Sequence, residues 1–143
     1  EEAFLAYKTE RYNIKGKDVV AGNCKYYLND LSFKNFLYPG FAYGVGYLLE
    51  NAVYLELRRL GYIVYTGSFR DKEVDFVAMK DDRVIYLQAT YMLETAQTME
   101  REYAPLLTIG DNYEKYVVSM DEVQFPSNEG VRHIQAWNLK EIL

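Results

Sequence analysis

Apolar residues recur at spacings of three and four from Tyr47 to Leu60, through Leu49, Val53, Leu57 and Leu60, and Gly61 follows at the usual C-terminal stop. This predicts an amphipathic helix lying against a sheet. Tyr62-Ile63-Val64-Tyr65 then reads as a strand, Gly67 to Lys72 as a turn, Glu73 to Met79 as a second strand, Asp81-Asp82 as the next turn and Arg83 to Thr90 as a third. Three consecutive strands after a helix predict an antiparallel meander. A helical period returns from Thr95 to Leu107, with Met99, Tyr103 and Leu106 on one side and Glu100, Arg101 and Glu102 largely on the other. That helix is the expected crossover. Lys115 to Met120 is a nearly continuous apolar strand of the kind buried on both faces, Gly130 to Trp137 a final edge strand, and Asn138 the cap of a closing helix.

The first 45 residues lack so clear a pattern. Residues 3–20 mix apolar and basic positions and end in a turn at Ile14-Lys15-Gly16-Lys17-Asp18, which suggests an extended lead-in. Lys25-Tyr26-Tyr27-Leu28 is a short strand candidate, and Asp30 is placed to cap a short helix through Phe36. The connector Tyr38 to Gly46 marks a boundary, giving a lead-in over 1–45 and an α/β domain over 46–143. The glycines at 40, 44 and 46 do not make a phosphate loop, because Tyr47-Leu48 follows Gly46 where a lysine and a hydroxyl residue are required.

Composition narrows the function classes. The 143 residues are 50% hydrophobic and 26% charged, values of an ordinary globular domain rather than a disordered chain. The net charge of -5 argues against a stand-alone nucleic-acid coat. Cys24 is the sole cysteine, so neither an intrachain disulfide nor a thiolate cluster is available, and a reducing compartment, cytoplasm by default, is expected. No apolar run reaches the ~20 residues of a spanning helix, and no membrane partner is expected. The first residue is Glu, which suggests a piece of a longer protein. The 15 tyrosines are expected to serve packing and subunit contacts.

The acids carry the candidate chemistry. A divalent ion such as Mg²⁺ takes carboxylate and carbonyl oxygens, and phosphodiesterases use it to activate water and offset phosphate charge. Alternation puts Glu73, Asp75 and Val77 on one strand face, and Val84, Tyr86, Gln88 and Thr90 on one face of the next strand, so Asp75 and Gln88 are expected to meet. An acid on a central strand is costly to bury without a partner. Asp75 is therefore expected to bind metal, to pair with Lys72 or Arg70, or to lie at a sheet edge. Glu50 and Glu56 flank the apolar stripe of their helix on opposite sides, and periodicity does not choose between them. His133 is expected to be structural or at the surface, and Cys24 to be a small core residue.

The order Glu50, Glu73-Val-Asp75, Gln88-Ala-Thr90 on helix, strand and strand resembles the PD-(D/E)XK nuclease superfamily. More narrowly, Leu48 to Leu57 with Gly61-Tyr62, Lys72 to Phe76, Glu102 to Leu107 and Asp111 to Val117 are similar to the C-terminal domain of a family of prokaryotic AAA-type ATPases. Glu10 to Lys17 and Lys25 to Asp30 match the stretch that follows that family's ATPase and winged-helix parts. The resemblance implies an α/β fold of restriction-endonuclease type, an αβββαβ sandwich with a mixed sheet. It also implies Glu50 as the helix acid, Asp75 as the metal-binding acid, and Gln88 and Thr90 at the two positions of the E-x-K element. Here the chain departs from the pattern, since Thr90 replaces the lysine and only Lys72 or Lys80 suggests itself as a substitute. Two readings follow: a catalytically degenerate module that regulates or binds a protein or nucleic-acid partner for an upstream ATPase domain, or a Mg²⁺- or Mn²⁺-dependent nuclease acting through Glu50, Asp75 and Gln88. ATP would bind only in that upstream region.

Overall fold

The computed structural model describes residues 5–40 and 44–143. A seven-stranded mixed sheet forms the centre, in spatial order β2-β1-β3-β4-β5-β6-β7. Its strands are β1 (Ala6–Asn13), β2 (Asp18–Leu28), β3 (Ile63–Phe69), β4 (Lys72–Lys80), β5 (Arg83–Ala89), β6 (Glu114–Ser119) and β7 (Val131–Gln135), with helices α1 (Ser32–Leu37), α2 (Val45–Arg59) and α3 (Ala96–Leu107) and a closing 3-10 helix, Ala136–Glu141. From α2 onward the order is helix, three strands, helix, strand, strand, as the periodicities predict.

The meander β3–β4–β5 is antiparallel, and α3 then crosses over so that β6 runs parallel to β5. Leu49, Val53, Tyr54 and Leu57 of α2 pack with Phe76, Ala78, Ile85, Leu87 and Val118 on one side of the sheet. Tyr103 and Leu106 of α3 pack with Val74, Val77, Tyr86 and Val117 on the other. The amphipathic stripes thus bury their apolar faces on opposite sides of strands that are apolar on both. Gly61 takes φ of +88°, the left-handed conformation of a helix C-terminus. Thr95 caps α3, its Oγ1 accepting the Thr98 N–H at 3.0 Å.

The segment before α2 is more structured than its composition suggests. β1 and β2 form an antiparallel hairpin, and β1 lies parallel to β3, so two strands of the lead-in extend the sheet. Asn51 of α2 clips the far end of β2: its Oδ1 accepts the Leu28 N–H at 2.8 Å and its Nδ2 donates to Leu28 O at 2.9 Å.

Smaller expectations need correction. Gly67 is not in a turn but inside β3, where a Cβ would lie 2.8 Å from Val77 Cγ2, and the turn is made at Arg70 with φ of 57°. Asn138 lies within the closing 3-10 helix and bonds Gln135 instead of capping it. Asp30 does not take the N-cap position of α1, which falls to Leu31, but its Oδ1 accepts the Ser32 N–H at 2.8 Å just ahead of the helix. Residues 41–43 of the glycine-containing connector lie outside the described residues.

Candidate functional site

Strand pairing between β4 and β5 runs from Lys80↔Arg83 to Phe76↔Leu87 and then stops. Beyond that point side chains replace the ladder: the Asp75 N–H donates to Gln88 Oε1 at 3.2 Å, and the Ala89 N–H donates to Asp75 Oδ2 at 3.0 Å. Where the two strands part, a cleft of about 370 Å³ opens, lined by Glu50, Asp75, Gln88 and Thr90 together with Tyr47 and Glu102. All three predicted site residues therefore come together, with the E-x-K element's second position beside them.

The geometry differs from strict alternation in one respect that matters. Tyr65 faces Val77 while Gly67 faces Val74, so β4 places two residues, Asp75 and Phe76, opposite one on β3, Thr66. Such a bulge rotates the side chains on either side of it relative to each other. Val74 and Val77 both enter the α3-side core, whereas Phe76 enters the α2 side. Asp75 leaves the face of Val77 and turns with Glu73 toward α2 and β2. Gln88, which alternates with Tyr86, consequently meets the main chain of Asp75 and not its carboxylate.

On the α2 side, Lys25 of β2 reaches all the acids at once. Its Nζ lies 2.9 Å from Glu50 Oε1, 3.0 Å from Glu73 Oε1 and 3.2 Å from Asp75 Oδ1. The Tyr27 hydroxyl, two residues along on the same strand face, donates to Glu50 Oε1 at 2.7 Å. Arg11 of β1 adds a second cation on Glu73 Oε2 at 2.7 Å. Three carboxylates from α2 and β4 are thereby met by two cations from the hairpin.

Burial and charge set the protonation of this cluster. Burial, aided by the negative charge of Glu50, pushes the Asp75 carboxyl up to about 6 against the pull of Lys25. Burial alone would lower the Lys25 ammonium, but Asp75 and Glu50 outweigh it and hold it above the ordinary lysine range. These two directions belong to one pair: the cation stays charged, and Asp75, the deeper partner, bears the desolvation cost. Glu73 is also pushed up by burial, yet Lys25 and Arg11 bring it below its ordinary value. Burial and Glu50 hold the Tyr27 hydroxyl protonated well above its usual range.

The remaining sequence candidates fall elsewhere. Glu56 is bound by Arg59 at 2.6 Å on the outer side of α2, so Glu50 alone of the two helix acids faces the cleft. Neither proposed substitute lysine reaches the acids: Lys80 Nζ donates to Leu60 O at 3.0 Å, and Lys72 lines a neighbouring hollow with Gln97 and Arg101. Glu102, expected on the outer side of α3, is instead buried against the cleft and held by Arg101 at 2.7 Å. Cys24 is half-buried on β2, outside the core. His133 is structural, as expected: its Nδ1 accepts the Phe125 N–H at 3.2 Å, which leaves Nε2 as the donor to Ser119 Oγ at 2.8 Å. The serine hydroxyl then donates to Asp121 Oδ2 at 2.7 Å. That proton order runs opposite to a base-activated serine, and all three residues are buried.

A divalent ion does not fit this donor set with Lys25 in place. Glu50 Oε1 and Asp75 Oδ1 already accept from the ammonium, Asp75 Oδ2 from Ala89 and Gln88 Oε1 from Asp75. Among the described residues, no group of three or more acid, histidine or cysteine side chains is disposed to hold a metal ion.

Fold and cleft together define a mixed α/β domain whose partly buried acid cluster is bridged by a lysine of its own chain. The chain is similar to an uncharacterized protein of Haemophilus influenzae, with 36% identity over 119 residues. The match covers 83% of this chain but 29% of that relative, so the chain spans less than a third of the relative's length. No family model matches the chain, and no solved structure matches it. Among the described residues, no helix is long and apolar enough to cross a membrane.

Proposed function

We propose that this chain is a restriction-endonuclease-like domain that has lost hydrolysis and serves as a regulatory or partner-binding module, protein or nucleic acid, of a AAA-type ATPase. The order of helix, meander, crossover helix and parallel strand supports the fold assignment, as does an acid cluster at the point where β4 and β5 part. The observation that carries the loss of hydrolysis is the Lys25 ammonium, bonded to Glu50, Glu73 and Asp75 where a divalent cation would otherwise gather them. Thr90 at the lysine position of the E-x-K element points the same way.

The test is DNA and RNA cleavage with Mg²⁺ or Mn²⁺, comparing the wild-type chain with Asp75→Ala. No cleavage by either protein is expected. Cleavage that disappears in Asp75→Ala would overturn this reading and establish a metal-dependent phosphodiesterase using Glu50, Asp75 and Gln88.

A further inference from the structure

We infer that the surface made by α1 and the start of α2 is a homodimer interface, in which Phe36 of each copy enters the hollow between α1 and α2 of the other. The inference goes beyond the nuclease-like reading and does not depend on it. α1 is six residues long, and none of them is buried. A helix that short is not stable in water by itself and keeps its shape by packing an apolar side against something. Much of its apolar surface faces outward instead. Phe36, Leu37 and Tyr38, with Val45 and Tyr47 at the start of α2, are each between 51% and 81% exposed.

The size of this surface suits a second copy. An aromatic side chain spans about 150–250 Å², so three rings at roughly two-thirds exposure, with a leucine and a valine at just over half, present on the order of 600 Å² of apolar surface. That stands at the top of the range for the largest apolar patch of a monomer, about 300–600 Å². Paired with itself the surface would bury about 1,200 Å², where specific interfaces begin.

The shape is self-complementary. A hollow of about 320 Å³ lies beside α1, lined by Tyr27 and Leu28 of β2, Leu31 ahead of α1, and Tyr47 and Leu48 of α2. Lys34 of α1 lines it too, and Phe36, two residues further along at about 100° per residue, projects on the other side of that helix. A knob and a hollow side by side are what a two-fold axis needs, because each copy then supplies both. Charge does not oppose the pairing. The rim carries one acid, Asp30, and one base, Lys34, so facing copies set no excess of like charge against each other, although the chain as a whole carries -5. A nucleic-acid strand fits less well, since the Glu50 carboxylate lines the hollow and Lys25 is held by three acids.

The experiment is sedimentation equilibrium of the whole chain from low micromolar to submillimolar concentration, with amide hydrogen exchange at both ends of that range. It compares the wild type with Phe36→Asp, Tyr47→Ser and a control, Val123→Asp, whose exposed side chain lies on the loop after β6. The wild type and the control are expected to form a concentration-dependent dimer, the two interface variants to weaken it at least tenfold, and the α1 amides of the wild type to exchange more slowly as it is concentrated. Circular dichroism checks that the variants fold, and if they do not, the wild-type exchange decides the matter alone. Exchange in α1 that ignores concentration overturns the inference, and so does a dimer that survives both interface variants. A monomer throughout, leaving the surface to another segment of a longer protein or to a foreign partner, overturns it as well.

Discussion

At the scale of single residues, Asp75 carries the largest burden, and its burden has a sign that can be checked. A carboxyl raised to about 6 in the folded state, from about 4 unfolded, favours folding fully below its unfolded value and loses that contribution as pH rises through its folded value. The stability of the wild type minus that of Asp75→Asn, from urea midpoints, is therefore expected to fall between pH 4 and pH 7. A difference that is flat or rises across this window contradicts the assignment. Gly67 offers a steric test. A methyl there would lie 2.8 Å from Val77 Cγ2 and 3.0 Å from Ile14 Cδ1 and Val74 Cβ, so Gly67→Ala is expected to cost about 1–3 kcal/mol by overpacking. Both acids and the amide were legible in the sequence because the order of the motif places them, whereas alternation alone mis-aims Asp75 at the β4 bulge and does not choose Glu50 over Glu56. Lys25 was not, since its partners are 25, 48 and 50 residues away and no local pattern joins them. The one signal available was Lys25-x-Tyr27, two polar-tipped residues on a common strand face, a pattern that many strands share.

At the scale of elements, α2, the meander and α3 were readable because each has one strongly apolar face or a continuous apolar run. The hairpin β1–β2 was only partly readable. β2 is an edge strand with a wide irregularity and, along most of its length, little burial, so it carries no hydrophobic alternation to detect. Its position is fixed by one buried aromatic, Tyr27, stacked on Tyr54, and by polar groups. Asn51→Ala removes both hydrogen bonds to the Leu28 peptide and leaves partly buried groups unpaired, which is expected to cost about 1–3 kcal/mol in chemical denaturation and to raise hydrogen exchange at Leu28. An unchanged exchange rate at Leu28 would count against the clip. On the far side of the molecule, the Ser119–Asp121–His133 chain ties β6, β7 and the following loop together. Burial lowers the His133 pKa, so its contribution to folding is present above the unfolded value of about 6.5 and fades as pH falls below it. Comparing wild type with His133→Gln between pH 7.5 and pH 5 should show the stability gap narrowing toward acid.

At the scale of the whole molecule, the hairpin is both a structural edge and the source of the two cations that pair with the acid cluster. The sequence suggests a boundary near residue 45, yet β1 covers the edge of β3 and β2 supplies Lys25 and Tyr27. A chain begun at Gly44 would expose the edge of β3 and leave Glu50 and Asp75 without their cation. Such a fragment is expected to aggregate or to lose its cooperative melting transition, as read by size-exclusion chromatography and circular dichroism. A monomeric fragment with the parent's melting temperature would show the hairpin to be an appendage. The central claim, that the Lys25 ammonium bridges the acids, is tested most directly by following its side-chain ¹⁵Nζ resonance by NMR as a function of pH and Mg²⁺. The account predicts a protected ammonium signal that titrates above the ordinary lysine range, falls toward that range in Asp75→Asn, and is unmoved by millimolar Mg²⁺; a freely exchanging amine with an ordinary titration, or a resonance displaced by Mg²⁺, would contradict it.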